Sequence, residues 1–204
     1  VRQHFDNAHI SDVEKAVHEQ ITRPEIAARV HSGMRIAIGA GSRGIANIGI
    51  AVRATVQALR ELGAKPFVFP AMGSHGGATA EGQQAVLAGY GITEEDVGAP
   101  IRATMDTVLI GKMEDGTPVH MDRYAHEADG VVLINRIKPH TSFRGPIESG
   151  VVKMMVIGMG KIQGATYLHA HGMDVFPEVL PRVATFIMEQ TSILFGIGVI
   201  ENAY

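Results

Sequence analysis

The chain contains no cysteine. This excludes a disulfide framework, a thiolate metal centre and a cysteine nucleophile, and it accords with a reducing compartment. Net charge is also small: 18 Lys and Arg against 21 Asp and Glu leave −3 at pH 7. Nucleic-acid binders concentrate basic charge on one surface, so no nucleic-acid partner is expected. No apolar run approaches the length that crosses a bilayer, so no membrane partner is expected either. Residues 1–20 are polar and charged, unlike a secretory leader, and a cytoplasmic location is the expectation. The Walker spacing and the dinucleotide Gly-x-Gly-x-x-Gly are both missing. There is no internal repeat and no low-complexity linker.

What is present suits a folded domain. The 204 residues are 46% hydrophobic and 19% charged, enough apolar material for a sizeable core. Ser11-Asp12-Val13-Glu14 reads as a capping box opening a helix to about Ile21, and Pro24 suits the first turn of a second, short helix. Met34 to Ile38 and Pro66 to Phe69 read as strands, each running into a glycine-rich loop and then a helix. The first helix of that kind runs from Asn47 to Leu62, and the second opens at Thr79. Thr107 to Met121 reads as a hairpin around Asp115-Gly116, and Gly130 to Asn135 as another strand. Pro177 to Gln190 is helical in pattern and Ser192 to Ile200 strand-like.

Strand, loop and helix in alternation predict an α/β fold: a mostly parallel, Rossmann-like sheet with helices on both faces and a β-hairpin insertion. Residues 1–204 form one such domain. The terminal strand has no helix after it and would leave an exposed edge. The expectation is therefore the N-terminal part of a longer two-domain chain, or a partner covering that edge. If the strands are parallel, their loops share one end of the sheet, where α/β proteins bind ligands. Arg43, His75 and His140 would then converge on one crevice.

Each loop carries chemistry. Gly73-Ser74-His75-Gly76-Gly77 offers backbone N–H groups to an anion and an imidazole able to move a proton near neutral pH; a tight turn capped by the histidine is the plainer alternative. Arg43 has the planar fork that clamps a carboxylate or phosphate, and it would serve equally in a surface ion pair. In Lys138-Pro139-His140 the proline stiffens the turn that aims the imidazole. Arg144 and Glu148 read as substrate contacts or as an ion pair ordering this loop, the second being favoured for Glu148. Lys153 lies amid Val151, Val152, Met154, Met155, Val156 and Ile157. It is either a desolvated, reactive amine or a snorkelling lysine at a helix edge, and spacing leaves both open. His169 and His171, if both lie on one helix, point to different sides, so at most one is a ligand unless the helix has already ended.

Ala71-Met72-Gly73-Ser74-His75-Gly76-Gly77-Ala78-Thr79-Ala80-Glu81-Gly82-Gln83, Gly41-Ser42-Arg43-Gly44 and Asn135-Arg136-Ile137-Lys138-Pro139-His140 together resemble the N-terminal domain of the lactate racemase family, over nearly the whole chain. The resemblance implies a nickel-pincer nucleotide cofactor, with Lys153 as its thioamide tether and His169 as the nickel ligand. Lys161 is the fallback tether, and His171 the less favoured ligand. It implies His75 and His140 as the acid/base pair and Arg43 as the anchor for the substrate carboxylate. The implied reaction is racemisation or epimerisation of a small-molecule 2-hydroxy acid by hydride transfer through a planar 2-keto intermediate. It also implies a C-terminal domain missing from this chain.

The chain departs from that family in three respects, one being a longer spacing from His140 to Lys153. Gly39-Ala40-Gly41-Ser42 carries no acidic residue before the arginine, and Lys153 lacks the flanking Gly-Gly and Pro-Gly pairs. Two other functions compete. One is a nickel-independent, phosphate- or carboxylate-handling α/β enzyme using the same histidines; the other is a non-catalytic module binding an anionic small molecule. The sequence does not fix the oligomeric state.

Overall fold

In the computed structural model, residues 8–42, 44–170 and 172–201 are described, apart from the side chains at positions 169, 170 and 173. The first helix, α1 (Val13–Ile21), is started by Asp12, whose carboxylate accepts from the Lys15 N–H at 2.9 Å. Ser11 is not the cap, as the sequence had implied. Glu14 turns away to meet Arg53 at 3.1 Å, so no reciprocal capping box forms. A short α2 (Pro24–Ala27) leads to the first strand.

That strand, β1 (Arg35–Ala40), is buried from its second residue onward, which a central parallel strand requires. It is followed by α3 (Ile48–Glu61), β2 (Lys65–Pro70), α4 (Ala80–Ala88) and α5 (Glu94–Val97). The hairpin β3 (Thr107–Lys112) and β4 (Pro118–Asp122) is antiparallel and forms its own two-stranded sheet. A single turn, α6 (Arg123–His126), then precedes β5 (Gly130–Arg136). After the long loop 137–149 come α7 (Gly150–Lys153), a wide π-helical turn (Met154–Gly158), α8 (Lys161–Ala170), α9 (Phe176–Gln190) and β6 (Ile193–Val199).

The main sheet has the order β2-β1-β5-β6, and its three pairings are all parallel. Successive side chains on a strand face opposite ways, and the core divides accordingly. Ile36, Ile38, Val132 and Ile134 pack with α1, α3, Leu87 of α4 and Val97 of α5 on one face. Ala37, Phe69, Val131 and Leu133 pack on the other with the hairpin, Leu168 of α8 and Leu180 and Ile187 of α9. Met154, Met155 and Met159 are core residues of this second layer, as their setting in the sequence suggested. The fold is thus the α/β arrangement expected, with the hairpin inserted on one side. β6 is an edge strand of the sheet.

Candidate functional site

Because β1, β2 and β5 run parallel, the segments that follow them emerge at one end of the sheet. β1 lies between β2 and β5, so the loops bearing His75 and His140 stand on either side of the β1 loop. They enclose a cavity of about 420 Å³, within the ~300–1,000 Å³ range of ligand sites. His75, His140, Lys153, Lys138 and Ser42 line it. Arg43 follows Ser42 directly but, like His171, lies outside the described residues. His169 belongs to α8, and its side chain is likewise outside the description.

The His75 loop rests on the start of α4. Gly76 adopts φ +65°, and a Cβ on Gly82 would meet the Gly76 carbonyl oxygen at 1.9 Å. Only hydrogen fits there, so loop and helix touch backbone to backbone. Thr79 caps α4, its hydroxyl accepting from Gly82 N–H at 3.0 Å. His75 itself makes no side-chain cap to the short turn that follows it. Its Nδ1 instead contacts the Ser42 hydroxyl. Tyr90 donates at 2.7 Å to the Ser42 carbonyl, which ties the β1 loop to the region beyond α4.

The His140 loop is clamped at its neck. The Ser149 hydroxyl accepts from Lys138 N–H at 2.7 Å and donates to the Lys138 carbonyl. Asn135 donates to Gly150 O at 2.9 Å, holding the start of α7 against the end of β5. Inside the loop, Glu148 accepts from the backbone N–H of His140 at 2.8 Å and of Gly145 at 3.2 Å. Arg144 joins it at 3.5 Å. The hydrogen bond from His140 N–H, with those from Gly145 and the Arg144 charge, holds the Glu148 carboxyl below its ordinary range against the opposing effect of burial. The ordering role favoured for Glu148 from sequence is therefore what the contacts describe. Phe143 stacks on the His140 ring at 4.2 Å between centroids and reaches Phe176 of α9 at 5.6 Å. The imidazole is thus backed by an aromatic column.

Lys153 closes α7, half-buried, with Nζ 2.8 Å from Nε2 of His140. The His140 Nδ1 accepts from Ser142 N–H at 3.1 Å. The contact with Lys153 and the hydrogen bond from Ser142 N–H thus engage both nitrogens of the ring. Lys153 lines the cavity, and its chain neighbours Val151, Val152, Met154 and Met155 belong to the core layer beneath.

Lys161 is placed quite differently. It is fully buried, away from the cavity lining, and engaged by Asp122 at 3.0 Å. Of the two lysines offered as tethers, only Lys153 lines the cavity. Sequence reading missed Asp122, Gln83, Ser42 and Ser149. Ser42 and Gln83 stand in the segments that carry the family resemblance, and Lys161 in an apolar stretch, but none of the three is marked there as a supporting partner of the site.

A parallel sheet with helices on both faces, and with histidines and a lysine gathered where its strands end, defines a doubly wound α/β domain with a ligand crevice. The chain belongs to the lactate racemase N-terminal domain family, whose model matches residues 3–178. Among solved structures it is similar to the lactate racemase apoprotein from Thermoanaerobacterium thermosaccharolyticum, with a TM-score of 0.67 and 18% sequence identity. That match covers 94% of this chain and 49% of the other, so the chain spans about half the length of the protein it resembles. No curated protein matches it by sequence.

Proposed function

We propose that this domain forms one side of the active site of a racemase or epimerase acting on a 2-hydroxy acid, with a nickel-pincer nucleotide carried on Lys153. The observation that carries the reading is the meeting of His75, His140 and Lys153 around one cavity at the carboxyl end of the sheet. The cavity is of ligand size, and the half-buried Lys153 lines it, which suits a covalently attached group. His169 falls one helical turn after Ala165, a cavity-lining residue, and would donate to the metal. When bound, the cofactor supplies a hydride acceptor beside the substrate carbon.

The chain's own groups supply the rest. His75 and His140 come from loops flanking β1, so one can take the hydroxyl proton while the other returns a proton. Ser42 contacts the ring of His75 at Nδ1 and so orients it. Phe143 and the Ser142 N–H fix the ring of His140. Arg43, adjoining Ser42, would clamp the substrate carboxylate through two parallel hydrogen bonds. A second domain would close the crevice against water.

The test is intact mass and bound-metal analysis on full-length protein made together with the cofactor-building enzymes. An adduct on wild-type protein that vanishes in Lys153→Ala supports the reading. Neither adduct nor nickel under those conditions refutes it. Interconversion of hydroxy-acid enantiomers that persists undiminished in His75→Ala and His140→Ala would remove the two histidines from the chemistry.

A further inference from the structure

Beneath the His75 loop lies a buried ionic relay that the chemistry above does not use. Lys161 opens α8 in a left-handed conformation, φ +52°. Its ammonium donates to Pro70 O at 2.5 Å and to Gln83 Oε1 at 2.9 Å, and it lies 3.0 Å from Asp122 Oδ2. Two of its three protons thus go to acceptors at the end of β2 and in α4, and the carboxylate at the end of β4 stands at ion-pair distance. Both charged side chains are 0% exposed. Asp122 is held in turn: its Oδ1 accepts from Ala125 N–H at 3.0 Å, and its own N–H donates to Met159 O at 2.7 Å.

Gln83 is also completely buried. Its Nε2 donates to the carbonyl of Gly73 at 2.8 Å and to that of His75 at 3.2 Å. An amide side chain can sit with oxygen and nitrogen exchanged, and the exchanged form would face two carbonyls with a third acceptor. Lys161 forbids that form, because an ammonium only donates. The cation therefore decides which end of Gln83 meets the loop. Stability alone gives little reason for the pair, since apolar replacements of buried ion pairs are often neutral or better.

We infer that Lys161, set by Asp122, is a positioning residue that orients the Gln83 amide and through it fixes the backbone of the His75 loop. The catalytic meaning of this rests on His75 being an acid/base group; the positioning itself does not. Neither Lys161 nor Gln83 touches the reacting atoms. The hairpin thereby gains a role, as the element that brings Asp122 under the site.

Two variants of the full-length chain test it: Gln83→Met, and the double variant Asp122→Leu/Lys161→Met, which removes both charges together. Amide exchange and imidazole NMR signals are read alongside thermal melting. In both variants the His75 and Ala78 amides, bonded to Met72 O and His75 O, are expected to exchange at least tenfold faster. The His75 ring signals move, while amides of β1 and β5 and the ring of His140 stay as in wild type. Unchanged exchange and unchanged His75 signals overturn the inference. Should the double variant fail to fold, Gln83→Met, which removes no charge, decides alone. A wild-type chain that shows the relay's effect on the loop but takes up no cofactor would refute the proposed function and uphold the positioning.

Discussion

The imidazole Nε2 of His140 lies 2.8 Å from the Nζ of Lys153. The group assigned to proton transfer and the group assigned to attachment therefore hold one another. An amide or thioamide nitrogen at position 153 would carry no positive charge and a single N–H, so attachment would alter this contact. Lys153→Met removes it. The ring nitrogen signals of His140 are expected to shift in this variant, with those of His75 unmoved. Coincident spectra for His140 in the two proteins would show that the contact is not made in solution.

Glu148 makes the same loop sensitive to acid. Its folded pKa lies below the 4.5 of an unperturbed glutamate, chiefly through the hydrogen bond from His140 N–H. A depressed carboxylate contributes stability that is fully present above its unfolded pKa and is lost as pH falls through the folded value. The His140 and Gly145 amide signals should accordingly change together at a midpoint under 4.5. In Glu148→Gln that transition disappears, and the loop is less protected from exchange at neutral pH.

Gly82→Ala tests the seating of the other loop. The added methyl carbon would fall 1.9 Å from the Gly76 carbonyl oxygen, so loop and helix must part. A gain in intrinsic helix propensity of up to ~1 kcal/mol is expected to be outweighed by this clash. The readout is a lower melting temperature with displaced signals for residues 73–79; a melting temperature above wild type contradicts the packing described.

Lys161→Met alone leaves the Asp122 carboxylate buried without its counter-charge. Breaking a buried pair in this one-sided way is worth about 3–5 kcal/mol of stability. Chemical denaturation should show a loss of that order, largely recovered in the Asp122→Leu/Lys161→Met double variant. Equal losses in single and double variants would mean that the pair stabilises the fold in its own right.

At the amino-terminal helix the two candidate caps are separable. Asp12→Ala is expected to cost about 1 kcal/mol, as loss of a capping oxygen does, and Ser11→Ala almost nothing. The reverse order would restore the capping box read from the sequence.

Strands, hairpin and helices were legible because their signals are local. Ile36 and Ile38 are continuous apolar positions, Asp115-Gly116 marks a turn, and Thr79 and Thr93 are caps whose hydrogen bonds the structure contains. Convergence of the His75 and His140 loops followed from parallel pairing, which alternation of strand and helix implies. What could not be read are contacts between residues far apart in the chain. Lys161 and Gln83 are 78 positions apart, and Ser42 and His75 are 33 apart. Nothing in the neighbourhood of Gln83 marks it as buried. The Ser11 and Asp12 choice failed for the opposite reason: two good caps stand side by side, and Glu14 had an alternative partner in Arg53.

The wide turn between α7 and α8 sets a limit on how this chain can vary. Met159 N–H reaches back five residues to Met154 O, at 2.9 Å, so the turn holds one residue more than an α-helical turn would. Each residue of an α-helix advances the direction of its side chain by roughly 100°. Deleting a single residue between 154 and 158 would relax the turn to regular helix, but it would also redirect the chain entering the left-handed residue that opens α8. Lys161 would leave Asp122. Substitutions here can be accommodated one contact at a time; a change of length cannot, so this segment acts as the gauge that keeps attachment point and α8 in phase.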